Sequence, residues 1–174
     1  MRRQAAPGIL ILLLGLLAAC TPPDQPITAL AIHDGQPMGV LVTCRGHFSQ
    51  LDVYEHDNRS DPDDQSLITW GVHGHPTSEV AEVLLFGQPP EGWEVDGLHQ
   101  IPGSTWEIKP LTELKPGVKY SLSGSSRYKA IPVDFTVEDF ARIGPDDVLA
   151  PAGRKAMKIM PRETFVRKAR KGCD

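Results

Sequence analysis

Short apolar segments separated by turn residues are the feature that most constrains the fold of this chain. Between residues 27 and 137, segments rich in β-branched and aromatic side chains alternate with clusters of Gly, Pro, Asp and Asn. Each segment has the length of a strand and each cluster the composition of a turn, a pattern typical of an all-β sandwich. We predict strands at 27–32, 38–44, 48–55, 66–73, 80–87, 105–109, 118–123 and 131–137.

Alternation within these segments also predicts which side chains face the core. In a strand, every second residue points to the same face, so an apolar alternation marks a half-buried strand. We expect the opposite face to be polar and wet. The inward set is predicted to be Phe48, Leu51, Val53, Leu67, Thr69, Gly71, Tyr120 and Leu122.

An export signal precedes this region. Arg2 and Arg3 are followed by an uncharged apolar run, Ile9 to Leu17, which is shorter than the roughly 20 residues that span a bilayer. The run Leu17-Ala18-Ala19-Cys20 resembles the lipobox of bacterial lipoproteins, in which small residues precede an invariant cysteine. The resemblance implies that residues 1–19 are removed and that Cys20 Sγ carries a diacylglyceryl group. It also implies a lipid-anchored protein on the extracytoplasmic face of the cell membrane.

Three prolines in six residues make 21–26 an extended spacer after the lipidated cysteine. We therefore divide the chain into a signal peptide (1–19), a lipidated Cys with its spacer (20–26), a β-sandwich domain (27–153) and a basic tail (154–174). The mature length suits one domain. In the tail, 161–171 is predicted to form a helix, since Pro161 suits a first helical position and Gly172 a stop. One helical turn is predicted at 138–143.

Charge is distributed unevenly along the mature chain. Residues 154–174 hold eight Lys or Arg against Glu163 and Asp174, whereas residues 20–153 hold eight basic and 20 acidic residues. Opposite signs allow the tail to dock on its own domain, or to meet an anionic lipid or wall polymer. We expect self-docking, and we expect no nucleic acid as a partner. An envelope protein is another candidate partner.

Cysteine pairing follows from the lipidation of Cys20. Cys44 and Cys173 are then the remaining thiols in an oxidising compartment, which favours a disulfide between them. Two free thiols or a metal pair are the alternatives, although no CxxC motif or Cys/His cluster surrounds either residue. A disulfide would tie the C-terminal tail to an early strand.

The stretch 111–122 resembles the corner between the fifth and sixth strands of fibronectin type III and related immunoglobulin-like domains. The resemblance implies that Leu114 plugs the core, that Pro116 and Gly117 make the turn, and that the Tyr120 hydroxyl bonds back to the connecting loop, as in a tyrosine corner. No Cys stands two residues after Tyr120, so the disulfide of antibody domains is absent. The fold class implied is a single immunoglobulin-like β-sandwich with a short C-terminal helix.

The chain as a whole resembles uncharacterised lipoproteins of high-GC Gram-positive bacteria. These carry one small sandwich with a Trp strand, here that of Trp70, and a turn of the Gly87-Gln88-Pro89-Pro90 type. They also carry a cysteine near the end. This resemblance implies no activity.

Two loops contain residue types that bind metals. His73 and His75 are spaced so that both rings can point toward one Cu or Zn ion across a turn. The alternatives are exposed loop histidines, or a histidine satisfied by a partner beside the Trp70 strand. The acidic loop 57–64 lacks the spacing of an EF-hand, and we interpret it as a solvated loop rather than a calcium site. We expect no cofactor.

The motifs GxSxG and HExxH and a glycine-rich phosphate loop are absent from the sequence. Trp93 and Trp106 are candidates for ligand-facing aromatics, and packing in the core or a turn is their alternative. The sequence therefore favours a lipid-anchored, extracytoplasmic, non-catalytic binding or structural module of the cell envelope whose ligand is unknown. Binding of Cu or Zn through His73 and His75 is the alternative function.

Overall fold

The computed structural model describes residues 23–44, 47–56, 66–97, 107–153 and 156–173. Eleven strands and two short helices are formed within these ranges. The strands are β1 (Thr28–His33), β2 (Gln36–Val42), β3 (Ser49–Glu55), β4 (Ser66–Gly74), β5 (Val80–Leu84), β6 (Trp93–Val95), β7 (Glu107–Pro110), β8 (Tyr120–Ser125), β9 (Val133–Phe135), β10 (Asp147–Pro151) and β11 (Met157–Pro161). A 3-10 helix covers Val137–Arg142, and α1 covers Arg162–Arg170.

Two sheets pack face to face, which confirms the predicted all-β sandwich. One sheet has the strand order β11-β10-β1-β2-β5, and the other has the order β6-β4-β3-β8-β9, with β7 paired to β4. All pairs are antiparallel except β4 with β7. Strands β1, β2 and β5 are neighbours in one sheet and β3, β8 and β9 in the other, as strands A, B, E and C, F, G are in immunoglobulin-like sandwiches.

The core lies between the sheets and is built by alternation along the strands. In β3 the buried residues are Ser49, Leu51 and Val53, and the intervening side chains point outward. Leu51 and Val53 are fully buried, as are Leu122 of the neighbouring strand and Val40 of the facing sheet. Burying one such side chain stabilises a fold by about 1.5–3 kcal/mol, so this layer of aliphatic residues holds the sheets together.

The inward face predicted for β4 is wrong by one residue. Val53 is paired with Trp70, and cross-strand partners point to the same face. Trp70 therefore packs against the core, and Thr69 and Gly71 face outward. Phe48 is also on the outer side, with 49% of its surface exposed.

Strands β6 and β7 lie end to end along the same edge of β4. β6 runs antiparallel to the second half of β4, and β7 runs parallel to the first half. Where they approach each other, the N–H of Asp96 donates to the carbonyl of Gly71 at 2.9 Å, and the N–H of Leu111 donates to the carbonyl of Thr69 at 2.9 Å. This edge of β4 is thus covered, and Asp96 is fixed beside the outer face of the sheet.

The C-terminal tail docks on its own domain. β11 pairs with β10, and α1 buries Phe165 and Ala169. Arg162 pairs with Glu82, and Arg170 pairs with Glu79 at 3.1 Å. The helix predicted at 161–171 is confirmed, as is the helical turn predicted at 138–143.

A disulfide joins Cys44 to Cys173, with their Cα atoms 5.4 Å apart, as predicted. Cys44 follows β2 and Cys173 follows α1, so the bond links the end of an early strand to the C-terminal tail across 129 positions of sequence. The tail is therefore held to the domain by a covalent bond as well as by strand pairing and helix packing.

The tyrosine corner has the hydrogen bond that the resemblance implies. The N–H of Lys115 donates to the hydroxyl of Tyr120 at 2.9 Å, and Tyr120 is fully buried. Gly117 has a φ of 76°, which favours glycine. Leu114 packs only partly buried against the core, and Leu111 is the more deeply buried leucine of this corner.

Candidate functional site

A cavity of about 620 Å³ opens on the outer face of β3 and β4. Its size falls in the range of small-molecule sites. Its floor is polar and part of its wall is apolar. The floor is formed by Gln50, Asp52, Tyr54, Thr69, Gly71, His73 and Ser123, the wall includes Leu67, Val95, Ile108 and Pro110, and Asp96 stands between them.

Two carboxyl groups meet on this floor because Gly71 has no side chain. A methyl group added to Gly71 would overlap one oxygen of Asp52 and one oxygen of Asp96. The amide nitrogen of Gln50 donates to Asp52 Oδ1 at 3.0 Å and lies 3.4 Å from Asp96 Oδ2. Gln50 therefore bridges two groups that would otherwise repel each other.

The environment of Asp52 changes its protonation. Burial, with a smaller contribution from the neighbouring charge of Asp96, raises the pKa of Asp52 from 3.8 to about 6. The hydrogen bond from Gln50 and the proximity of His73 oppose this rise. At pH values near 6 the site thus contains one carboxyl group that readily gains or loses a proton.

His73 is oriented by Asp96. Its Nδ1 contacts Asp96 Oδ1, and the two side chains are 34% and 27% exposed. A carboxylate on Nδ1 fixes the tautomer and the direction of the ring, so Nε2 is the nitrogen that can act as an acceptor. Nε2 of the oriented ring can accept a hydrogen bond from a ligand.

The polar face continues onto the adjacent strand. Ser121 Oγ donates to Asp134 Oδ1 at 2.7 Å and also lies 3.2 Å from the ring nitrogen of His56. Lys119 pairs with Asp134 at 3.3 Å. Burial raises the pKa of Tyr54, and the Tyr54 hydroxyl is hydrogen-bonded with Ser121 on the same face.

His73 and His75 both lie against Phe48 rather than facing each other directly. The ring centroid of Phe48 is 5.5 Å from that of each histidine. Among the residues that the structure describes, no group of three or more His, Cys, Asp or Glu side chains is placed to hold a metal ion. The site thus contains His73 with its partner Asp96, and the imidazole of His75 lies against Phe48 as well.

The ligand-facing role considered for Trp93 is wrong, and the alternative, packing in the core, is confirmed. Its side chain is 6% exposed and belongs to the core cluster, because β6 pairs closely with β4 and turns the indole inward. The other predicted aromatic, Trp106, lies outside the described residues, as do Cys20 and the acidic loop 57–64.

Sequence reasoning missed the residues that form the floor. Asp52 stands between Leu51 and Val53, which is a signal for an outward-facing carboxylate on a half-buried strand. No comparable signal identifies Asp96, since it follows β6, which the pattern of short segments did not predict. The meeting of the two carboxyl groups depends on that strand.

No protein-family model matches the chain, and neither a curated protein nor a solved structure matches it. Within the described ranges, the helices are too short or too polar to cross a bilayer.

Proposed function

We propose that this chain is a lipid-anchored, extracytoplasmic protein of the cell envelope whose β-sandwich binds a small ligand without transforming it. The anchor rests on the export signal and on Cys20 in its lipobox-like context. The binding role rests on one observation, the 620 Å³ cavity on the outer face of β3 and β4. A rigid sheet carrying converging polar groups beside an apolar wall is a common form of binding site.

The chemistry of the cavity indicates the kind of ligand. Asp52 and Asp96 present carboxyl oxygens, and His73 presents Nε2 of a ring that Asp96 holds through Nδ1. These groups favour a ligand that donates several hydrogen bonds, such as a polyhydroxylated or amine-bearing molecule. Ile108 and Leu67 add an apolar surface that an aliphatic portion of the ligand can cover.

Saturation-transfer NMR with the acylated protein in nanodiscs tests the binding role. The probes are cyclohexylamine, which has an ammonium group on an aliphatic ring, and N-acetylglucosamine, which has several hydroxyl groups. We expect transfer to at least one probe, and we expect its loss when Ser123→Phe fills the cavity. Gln36→Phe, on an exposed position of β2, is the matched control. Transfer that survives Ser123→Phe, or transfer to neither probe, would count against a binding site here.

A second candidate function is the binding of Cu or Zn through His73 and His75. The observation in its favour is the contact of Asp96 with Nδ1 of His73, because metal-binding histidines usually donate their other ring nitrogen to such a partner. Titration with Zn²⁺ and Cu²⁺ tests it. Micromolar binding that is lost in His73→Ala with His75→Ala, and retained in His33→Ala, would support it. Equal binding by the wild type, the double variant and His33→Ala would exclude it.

A further inference from the structure

Six exposed cations surround the place where the chain leaves the domain toward Cys20. Two lie in the turn between β8 and β9, and four lie at the C-terminal end of α1. We call this surface the basic end. Its members are Arg127, Lys129, Arg167, Lys168, Arg170 and Lys171.

Backbone contacts bring the N-terminal segment to the basic end. The N–H of Gln25 donates to the carbonyl of Lys129 at 2.8 Å, and the carbonyl of Gln25 accepts from Ile131 at 2.8 Å. The side chain of Gln25 also lies beside Gly172, since a methyl group added to Gly172 would be 3.3 Å from the side-chain oxygen of Gln25. The spacer therefore emerges between the β8–β9 turn and the end of α1.

The tail is fixed at the same place. Arg127 donates to the carbonyl of Cys173 at 3.1 Å, and the disulfide holds Cys173 to Cys44. Arg127, Arg170 and Lys171 line one hollow beside that disulfide. The basic end is thus a rigid part of the domain and not a loose tail.

Acidic groups balance only part of this charge. Glu79 pairs with Arg170 at 3.1 Å, Asp24 lies on the spacer, and Asp174 follows Cys173 in the sequence. The basic end keeps an excess of cations, although the mature chain as a whole is acidic. An uneven distribution of this kind orients a protein in the field of a charged surface.

We propose that the basic end rests on the anionic phospholipid surface of the bilayer and so orients the domain. This inference depends on the lipid anchor in the proposed function. Pro23 is three residues from Cys20, a span of roughly 11 Å at full extension. The anchor would hold the basic end near the headgroups, where screening over about 8 Å still permits attraction. Two signals, an acyl anchor and a basic patch, give durable membrane association.

Lysine footprinting of the acylated protein tests the orientation. The protein is reconstituted on vesicles of phosphatidylcholine, or of an equimolar mixture with phosphatidylglycerol, and treated with an acetylating reagent. We expect Lys129, Lys168 and Lys171 to react roughly threefold or more slowly on the anionic vesicles. Lys109 and Lys115, on β7 and at the tyrosine corner, serve as internal controls and should react equally on both. The protection should disappear in about 0.5 M NaCl.

A charge variant sharpens the same experiment. Arg127→Gln with Arg167→Gln should reduce the protection of the three lysines, whereas Arg142→Gln, in the 3-10 helix, should not. Equal reactivity on both vesicles would overturn the proposed orientation. Protection by a soluble polyol-phosphate wall polymer but not by anionic vesicles would overturn it too, and would identify the polymer as the partner.

The two proposals fail in different ways. A protein without acyl groups would not be retained on phosphatidylcholine vesicles, and that result would refute the anchor. Retention on both vesicles without lysine protection would refute only the orientation.

Discussion

At the scale of single residues, Asp52 links the cavity to the stability of the fold. Burial raises the pKa of Asp52 to about 6, so its carboxyl group binds a proton more tightly in the folded chain than in the unfolded chain. Folding therefore takes up a proton between about pH 4 and pH 6, and the free energy of unfolding falls as the pH rises through that window. Above it, the folded protein holds a buried carboxylate next to Asp96.

Replacing this carboxyl group with an amide should stabilise the protein at neutral pH. Asp52→Asn keeps an oxygen that accepts from Gln50 and removes the buried charge. We expect the free energy of unfolding to rise by roughly 2 kcal/mol at about pH 7.5 and to change little at about pH 3.5. Urea denaturation at the two pH values measures both. Asp146→Asn, at an exposed position before β10, should be neutral. A variant that is less stable at the higher pH would contradict this account of Asp52.

Some site residues were predictable from the sequence because their signal is local. The tyrosine corner depends on residues within one short stretch, and the hydrogen bond between Lys115 and Tyr120 follows from it. The pairing of Asp52 with Asp96 depends instead on two chain segments that are far apart and meet over Gly71. Periodicity in one strand cannot show such a meeting.

At the scale of elements, β6 depends on the absence of a side chain at Gly74. A methyl group there would overlap the carbonyl of Gly92 and lie 2.8 Å from the Cα of Trp93. Both neighbours are backbone atoms, which cannot move without displacing β6. The close approach of β6 to β4 is what buries Trp93 and positions Asp96.

Gly74→Ala should therefore loosen β6. We expect a loss of about 1–3 kcal/mol in the free energy of unfolding, as in other overpacked sites, and a red shift in tryptophan emission as Trp93 gains water. Gly153→Ala is the control, because nothing lies within 4 Å of its added methyl group. Chemical denaturation followed by fluorescence measures both quantities. Unchanged stability and emission in Gly74→Ala would show that β6 is not held in this way.

The strands that the sequence predicted differ physically from those it did not. β1 to β5 and β7 to β9 were predicted, because they lie in segments with β-branched or aromatic residues between turn clusters. β10 and β11 each end in proline, and β11 is rich in Met and Lys, which weakens a strand signal. They form because pairing with each other and with β1 satisfies their backbone groups, a tertiary effect.

At the scale of the whole molecule, the disulfide closes the domain. It joins Cys44 to Cys173 across 129 positions, so it restricts the unfolded chain strongly. The chain-entropy model assigns roughly 4–5 kcal/mol to a loop of this size. The same bond fixes the C-terminal end of α1 beside the spacer.

Removing both sulfurs should destabilise the protein by an amount of that order. For Cys44→Ser with Cys173→Ser, we expect a lower urea midpoint than in the wild type. We also expect the rate of hydrogen exchange to increase more in α1 than in β3. The wild-type protein, measured in parallel with and without a reductant, is the control. A double variant as stable as the wild type, with α1 equally protected, would mean that strand pairing and helix packing alone hold the tail.

Metabolic labelling with an alkyne-bearing fatty acid tests the central claim, the acylation of Cys20, most directly. The account predicts that the expressed protein takes up the label and sediments with membranes, and that Cys20→Ser loses both properties. Cys44→Ser with Cys173→Ser should keep the label, because those sulfurs bond to each other. An unlabelled wild-type protein, or a label that survives Cys20→Ser, would contradict the anchor and the envelope function proposed from it.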